Sequence, residues 1–349
     1  MNDETIKQVC SHFDIGTVLE VERVTEGALS NNYFITCDAG KYFLKQYRFV
    51  KLERVRGVHA AKKFFVDAGI PVVLPLAAKS GDTIVVDGEK MYSLFPFVVG
   101  RQYERGHLPD AAVDSMGTTL ARLHLASRGK IPDIGLMRRY DMETRFDPEK
   151  VEDLRVRIKA TGLATEFDRY ALDWLEEKYL LAKNTVRVTE EQMGPRTILH
   201  GDFHDKNIFL EDDGRVKYVF DVELAQIGFR VVELVRAFDY SVFDGEYSDE
   251  RFAMSMRMVR AYTALYPMTA AEIVSGVAEY FNKTVTSDWI EKIHYIDGSN
   301  RADHFLSSER LRVEWFLKNA LTLAAAMGTA SGVDTMEIDR LGADVLRAL

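Results

Sequence analysis

The stretch His200–Phe209, HGDFHDKNIF, decides how this chain is read. It packs two histidines, two aspartates, a lysine and an asparagine together and then turns apolar at Ile208 and Phe209. Asp and Asn favour turns because their side chains bond their own backbone, so a polar turn is one reading. A zinc cluster on His200 and His204 is a second, but no cysteine lies near and no further close-spaced histidine completes it. The third is a catalytic loop. The flanks favour that one: TILHG precedes the stretch, NIFLEDDG and RVKYVFD continue it, and Asp221 closes the last of these short β segments. Two hairpin-linked loops then offer Asn207 and Asp221, whose hard oxygens suit one or two Mg2+ ions. Asp202 is left unligated, placed to accept a proton from a hydroxyl nucleophile or to orient it.

Such a layout serves transfer of a phosphoryl group from ATP, where positioning and charge neutralisation supply most of the catalysis. It also needs a phosphate-covering turn and a lysine on the third strand. EGALSNNYF supplies the turn, with Gly27, Ser30, Asn31 and Asn32, and KYFLKQY puts Lys45 on that strand. On these residues the chain resembles the aminoglycoside phosphotransferase and choline kinase family, from about residue 20 to 240. The resemblance implies a two-lobed α+β protein-kinase-like fold and an ATP- and Mg2+-dependent phosphotransferase acting on a small-molecule hydroxyl. It implies that Asp202 is the catalytic aspartate and that Asn207 and Asp221 hold magnesium. Lys45 would hold the α- and β-phosphates, Gly27–Asn32 would cover the triphosphate, and the backbone of Phe95–Phe97 in SLFPFVVG would meet adenine. His200 would brace the loop. His204 stands where protein kinases carry lysine, which points to the small-molecule branch, and Asp205 and Lys206 are expected to face solvent.

Two departures from the family pattern stand out. The first-lobe helix has RGVHAAKK where an acid usually pairs with the strand lysine, and Glu53 is the nearest carboxylate. Glu233 in VVELVR replaces a common aspartate, which leaves its role open. The lost helix acid motivates a non-catalytic nucleotide-binding alternative. FPFVVGRQYE resembles the hinge of stress-response kinases, which motivates a protein Ser/Thr kinase alternative, although no activation loop with an A-P-E close is seen.

The rest of the chain fits this frame. A short helix over 3–13, strands in TVLEVERVTEG, NYFITCDAG and KYFLKQYRF, a helix ending at Gly69, and strands in IPVVLPLA, TIVVDG and KMYSLFPFV give a sheet-rich lobe, 1–98. Helical spacing over Pro109–Arg128 and 148–184, the β island, and a helical run from Phe229 onward give a second lobe, 99–349. The net charge of −9 argues against nucleic acid as the main partner. The most apolar run, YSLFPFVVG, is too short to span a bilayer, and the N-terminus lacks the apolar core of a signal peptide. Cys10 and Cys37 read as idle thiols, so a reducing cytoplasm is expected. The acidic stretch 239–250 reads as a solvated turn or as a pocket wall attracting a cationic acceptor. The identity of the acceptor is open: amino sugars, amino alcohols, homoserine and sugars all fit.

Overall fold

The computed structural model describes residues 3–24, 30–48, 50–135, 138–142 and 147–347. The first half of the architecture comprises α1 (Asp3–Cys10), β1 (Val18–Val24), β2 (Ser30–Cys37), β3 (Gly40–Tyr47), α2 (Leu52–Asp67), β4 (Val85–Asp87) and β5 (Lys90–Pro96). Among the described residues these strands form one antiparallel sheet in the order β1-β2-β3-β5-β4. Side chains alternate across a strand, so β3 serves two faces. Leu44 joins Tyr33, Ile35 and Leu94 under α1, whose Ile6, Val9 and Cys10 cover that face. Phe43, Lys45 and Tyr47 point the other way, where α2 packs Val55 against Tyr47. Cys10 and Cys37 are both free thiols within the covered face.

The strand expected in IPVVLPLA does not form. Pro71 and Pro75 have no N–H to give a ladder, and the segment runs extended between the lobes with a single parallel bridge, Val72 to Val219. Val73 N donates to Val219 O at 2.9 Å and Val219 N donates to Pro71 O at 2.8 Å. A second stitch lies past the hinge, where Arg101 and Leu210 exchange both backbone bonds at 2.8 and 2.9 Å.

The second half holds α3 (Asp110–Ala126), β6 (Arg138–Arg139), α4 (Pro148–Ala160), α5 (Glu166–Lys183), α6 (Glu190–Met193), β7 (Arg196–Leu199), β8 (Ile208–Leu210), β9 (Val216–Val219) and β10 (Gln226–Phe229). Then come α7 (Arg230–Phe238), α8 (Asp249–Thr263), α9 (Ala270–Val285), α10 (Trp289–Tyr295), α11 (Leu306–Ser331) and α12 (Thr335–Val345). The β8–β9 hairpin stands alone, while β10 pairs with β7 and, in parallel, with β6. β10 was not expected, because QIGF merges in the sequence with the helical run that follows. α3 and α8 pack closely through Gly117, where a Cβ would lie 2.5 Å from Met258 O. One apolar core runs through this half, from Leu120 and Trp174 to Phe229, Phe281 and Leu323. No helix among the described residues is long and apolar enough to cross a membrane.

Candidate active site

The loop after β7 is held by one carboxylate. Glu233 of α7 accepts from His200 N at 3.0 Å and from the adjacent Gly201 N, while His124 Nε2 lies 2.8 Å from the same carboxylate. Burial would raise the Glu233 carboxyl, but His124 and the loop amides outweigh it and keep it below the usual range. Glu233 is therefore the anchor of the loop, a role its sequence left open. His200 Nε2 donates to Phe220 O at 2.9 Å, and its Nδ1 accepts from Asp202 N at 3.2 Å, which ties the loop to the end of β9. Gly201 has φ +85°, and a Cβ there would meet Leu224 O at 2.0 Å. Gly201→Ala is expected to displace the loop and destabilise the fold by about 1–3 kcal/mol, with larger losses in turnover. Paired urea unfolding and initial-rate measurements check this.

The cleft between sheet and loop is a cavity of about 710 Å³, and Asn32, Lys45, Phe95, Phe97, Asn207 and Asp221 all line it. Asp202 sits at its margin, joined to Asn207, whose amide donates to Asp202 O at 2.9 Å and to Oδ2 at 3.2 Å. Not every expected residue converges there. Asn31 lies on the opposite face of β2 and bonds Gln46 at 2.8 Å. Ser30 reaches the cleft only through Asn32, to which its hydroxyl donates at 2.8 Å. Gly27 lies outside the described residues. A separate depression of about 520 Å³, beside Asp114, Arg122 and Arg215, contains none of these groups.

Lys45 is buried and has two acids within reach, Asp221 at 2.9 Å and Glu223 at 3.0 Å. The helix acid is thus replaced from another direction: Glu223 lies two residues past Asp221, and α2 contributes Lys62, 3.0 Å from Glu223, instead of an acid. Glu53 is exposed in the first turn of α2. Burial opposes the charge on Lys45, but Asp221 and Glu223 outweigh it and push its pKa up. Burial pushes Lys62 down, and its ammonium lies 4.5 Å from the Phe95 ring centre. Burial and repulsion from Glu223 push the Asp221 carboxyl up to about 7 against the pull of Lys45. Asp221 also takes a left-handed backbone, φ 58° and ψ 48°, a conformation with a strain cost that turns up at functional sites.

These residues suit a divalent cation. Glu223 Oε2 is buried without a hydrogen-bond partner. Asn207 commits its amide nitrogen to Asp202, which leaves its oxygen as a donor to a metal. The donors are hard oxygens, and among the described residues no group of three or more His, Cys, Asp or Glu forms a metal cage. An ion that completes its shell from phosphate and water fits this set. Zinc on the histidines does not. Both ring nitrogens of His200 are used, and His204 Nδ1 accepts from Lys206 N at 3.2 Å, which leaves Nε2 as the N–H, 3.6 Å from Asp202 Oδ2.

Beyond Asp202 the surroundings are cationic. Arg236 Nη2 lies 2.5 Å from Asp202 Oδ1, and His204 Nε2 lies 3.6 Å from Oδ2. Burial would raise the Asp202 carboxyl, but Arg236 and His204 outweigh it and hold it well below the carboxylate range. Two expectations fail here. Asp205 does not face solvent: it is buried, its amide bonds Ser241 Oγ at 3.0 Å, and burial pushes its carboxyl up. Lys206 is half-exposed, with its ammonium on Tyr103 O at 2.8 Å. Nor is the start of 239–250 a solvated turn, because Asp239 is fully buried and accepts from Tyr247, Tyr280 and Arg312. Glu223, Lys62, Arg236 and Arg312 had escaped the sequence reading. Only Glu223 carried a signal, its place just after Asp221.

Comparison with known proteins shows the family. Residues 20–267 match the phosphotransferase enzyme family. The chain belongs to that family. As a member it is a kinase-type phosphotransferase, ATP-dependent and with a hydroxyl group as acceptor, on a protein-kinase-like fold. This phosphotransferase is 25% identical to a homoserine kinase of Parvibaculum lavamentivorans, over 78% of this chain and 79% of that one. It is 26% identical to stress response kinase A of Salmonella choleraesuis, over 68% and 66% of the two chains. Among solved structures, an amicoumacin kinase in complex with AMP-PNP, Ca2+ and Ami superposes with a TM-score of 0.63 at 13% identity, covering 97% of each chain.

Proposed function

We propose that this phosphotransferase moves the γ-phosphate of ATP to a hydroxyl of a small molecule in the cytoplasm, with Mg2+ as cofactor. Residues 1–98 act as the nucleotide lobe and 99–349 as the lobe that takes the acceptor. The observation that carries this reading is the convergence of Lys45, Asn207 and Asp221 on one cavity with Asp202 at its margin. Lys45 and Lys62 hold the triphosphate, Asn32 approaches it from β2, and the backbone between Phe95 and Phe97 faces adenine. Asn207 and Asp221 hold magnesium, with Glu223 beside them. Held there, magnesium would supply charge neutralisation to the phosphates. Asp202 orients the acceptor hydroxyl and takes its proton as the O–P bond forms, and ADP leaves. Only Val222–Phe229 separates Asp221 from α7, which is short for a segment that docks a peptide and supports a small-molecule acceptor.

ADP release is expected to require Mg2+ and to rise with one acceptor class in a panel of homoserine, choline, ethanolamine, aminoglycosides and sugars. If every member leaves ADP release at its background rate, the small-molecule reading falls. Phosphate appearing on added protein, seen by intact mass, would replace it with the protein-kinase reading.

A further inference from the structure

We infer that the acceptor carries an anionic group, a carboxylate or a phosphate monoester, and that Arg236 and Arg312 receive it beside Tyr240. This rests on the phosphotransferase reading above and narrows its substrate class. Helix α7 continues into a single π-helical turn, Asp239–Phe243, of a kind often found at functional sites. Tyr240 in that turn stacks against His204, with ring centres 6.3 Å apart and planes 23° apart. Two guanidiniums share its ring. Arg236 lies 4.4 Å from the ring centre, and Arg312, which arrives from α11, lies 4.5 Å from it.

Both arginines are largely withdrawn from water, with 26% and 10% of their side chains exposed. Their counter-ions are already committed. Arg312 is paired with Asp239 at 2.5 Å, but that carboxylate also accepts from Tyr247 and Tyr280. Arg236 is paired with Asp202, the carboxylate that must turn to the acceptor hydroxyl, and its Nη1 is buried with no hydrogen-bond partner. The other acids on this wall, Asp205 and Asp244, lie 3.8 and 3.3 Å from Arg105. A cationic acceptor would meet two guanidiniums there. A neutral one would leave Nη1 unpaired and, once Asp202 turns away, Nη2 as well. An anion supplies the missing acceptor atoms to Nη1 and releases Asp202 for the hydroxyl, since guanidinium recognises carboxylate and phosphate in matching planar geometry.

The test compares acceptors that share a carbon framework and differ in the charged group they carry. Glucuronate, glucose 1-phosphate, glucose and glucosamine form one series, and homoserine against 3-amino-1-propanol forms another. An anionic member is expected to give the highest Mg2+-dependent ADP release, and the first series separates carboxylate from phosphate. Arg312→Met is expected to raise KM for that member roughly tenfold or more with a smaller change in kcat, as for loss of a charge-assisted hydrogen bond, and Arg312→Lys to restore part of it. Sulfate titrated onto the complex with Mg2+ and AMP-PNP, so that Lys45 and Lys62 are already occupied, is expected to bind wild type more tightly than Arg312→Met. Preference for the neutral or cationic members overturns the inference and leaves phosphotransfer standing. So does equal sulfate binding, or an Arg236→Met or Arg312→Met variant that loses kcat at constant KM, which would assign the arginines to the transferred phosphate. No stimulation by any alcohol removes the phosphotransfer reading, and this inference with it.

Discussion

Asp202→Asn lowers kcat by about a hundred- to ten-thousand-fold, the range lost with a positioned general base, and leaves the affinity for Mg–ATP within a few-fold of wild type. The side chain keeps its size, and the oxygen that faces Arg236 can still accept. Asn207 keeps its bond to the backbone carbonyl of Asp202, so the loop is retained. What disappears is a carboxylate able to take the hydroxyl proton. Single-turnover rates beside nucleotide titrations check this. Turnover near the wild-type level would remove Asp202 from the chemistry. A protein that binds Mg–ATP with no turnover to lose would fit the non-catalytic reading instead.

Lys178→Met destabilises the fold by about 3–5 kcal/mol, the cost of breaking a buried ion pair from one side. Lys178 is fully buried between Glu291 and Glu309, 2.8 Å from each, and also donates to Ser287 O at 2.7 Å. It joins α5 to α10 and α11. Burial already pushes the Glu291 carboxyl up, against the pull of Lys178. The folded state therefore holds that proton more tightly than the unfolded chain, and this group's contribution to stability falls as pH rises above the ordinary Glu range. Without Lys178 that window moves higher. The variant is expected to resist urea better near pH 5 than near about pH 8, with a steeper pH dependence than wild type. An unchanged unfolding midpoint, or a flat pH profile in the variant, would contradict this.

What the sequence revealed and what it hid have physical causes. The order of the sheet-rich and helical halves was legible, because strand alternation and helical spacing are local patterns. Asp202, Asn207 and Asp221 stood out as candidates because phosphoryl-transfer chemistry would set such a spacing within one loop and one hairpin. The segment 70–77 misled, since its apolar residues read as a strand while its prolines deny it a ladder. The partner of Lys45 was hidden because an ion pair records only proximity, and Glu223 is far from Lys45 in the chain. Arg236 and Arg312 left no local trace: one is on α7, the other on α11, and only the π-helical turn brings Tyr240 between their paths.

The two backbone stitches between the lobes both end on the β8–β9 hairpin, one on each strand. The chain segments entering and leaving the sheet are thus fastened to the element that begins after Asn207 and ends just before Asp221. A cleft opening about that hairpin as an axle is expected to carry Lys45 on one arm and Asp202 on the other. Groups near an axle move least. The cleft would then widen while the spacing of Asn207 and Asp221 stays nearly constant, and the two residues proposed to hold magnesium would keep their separation.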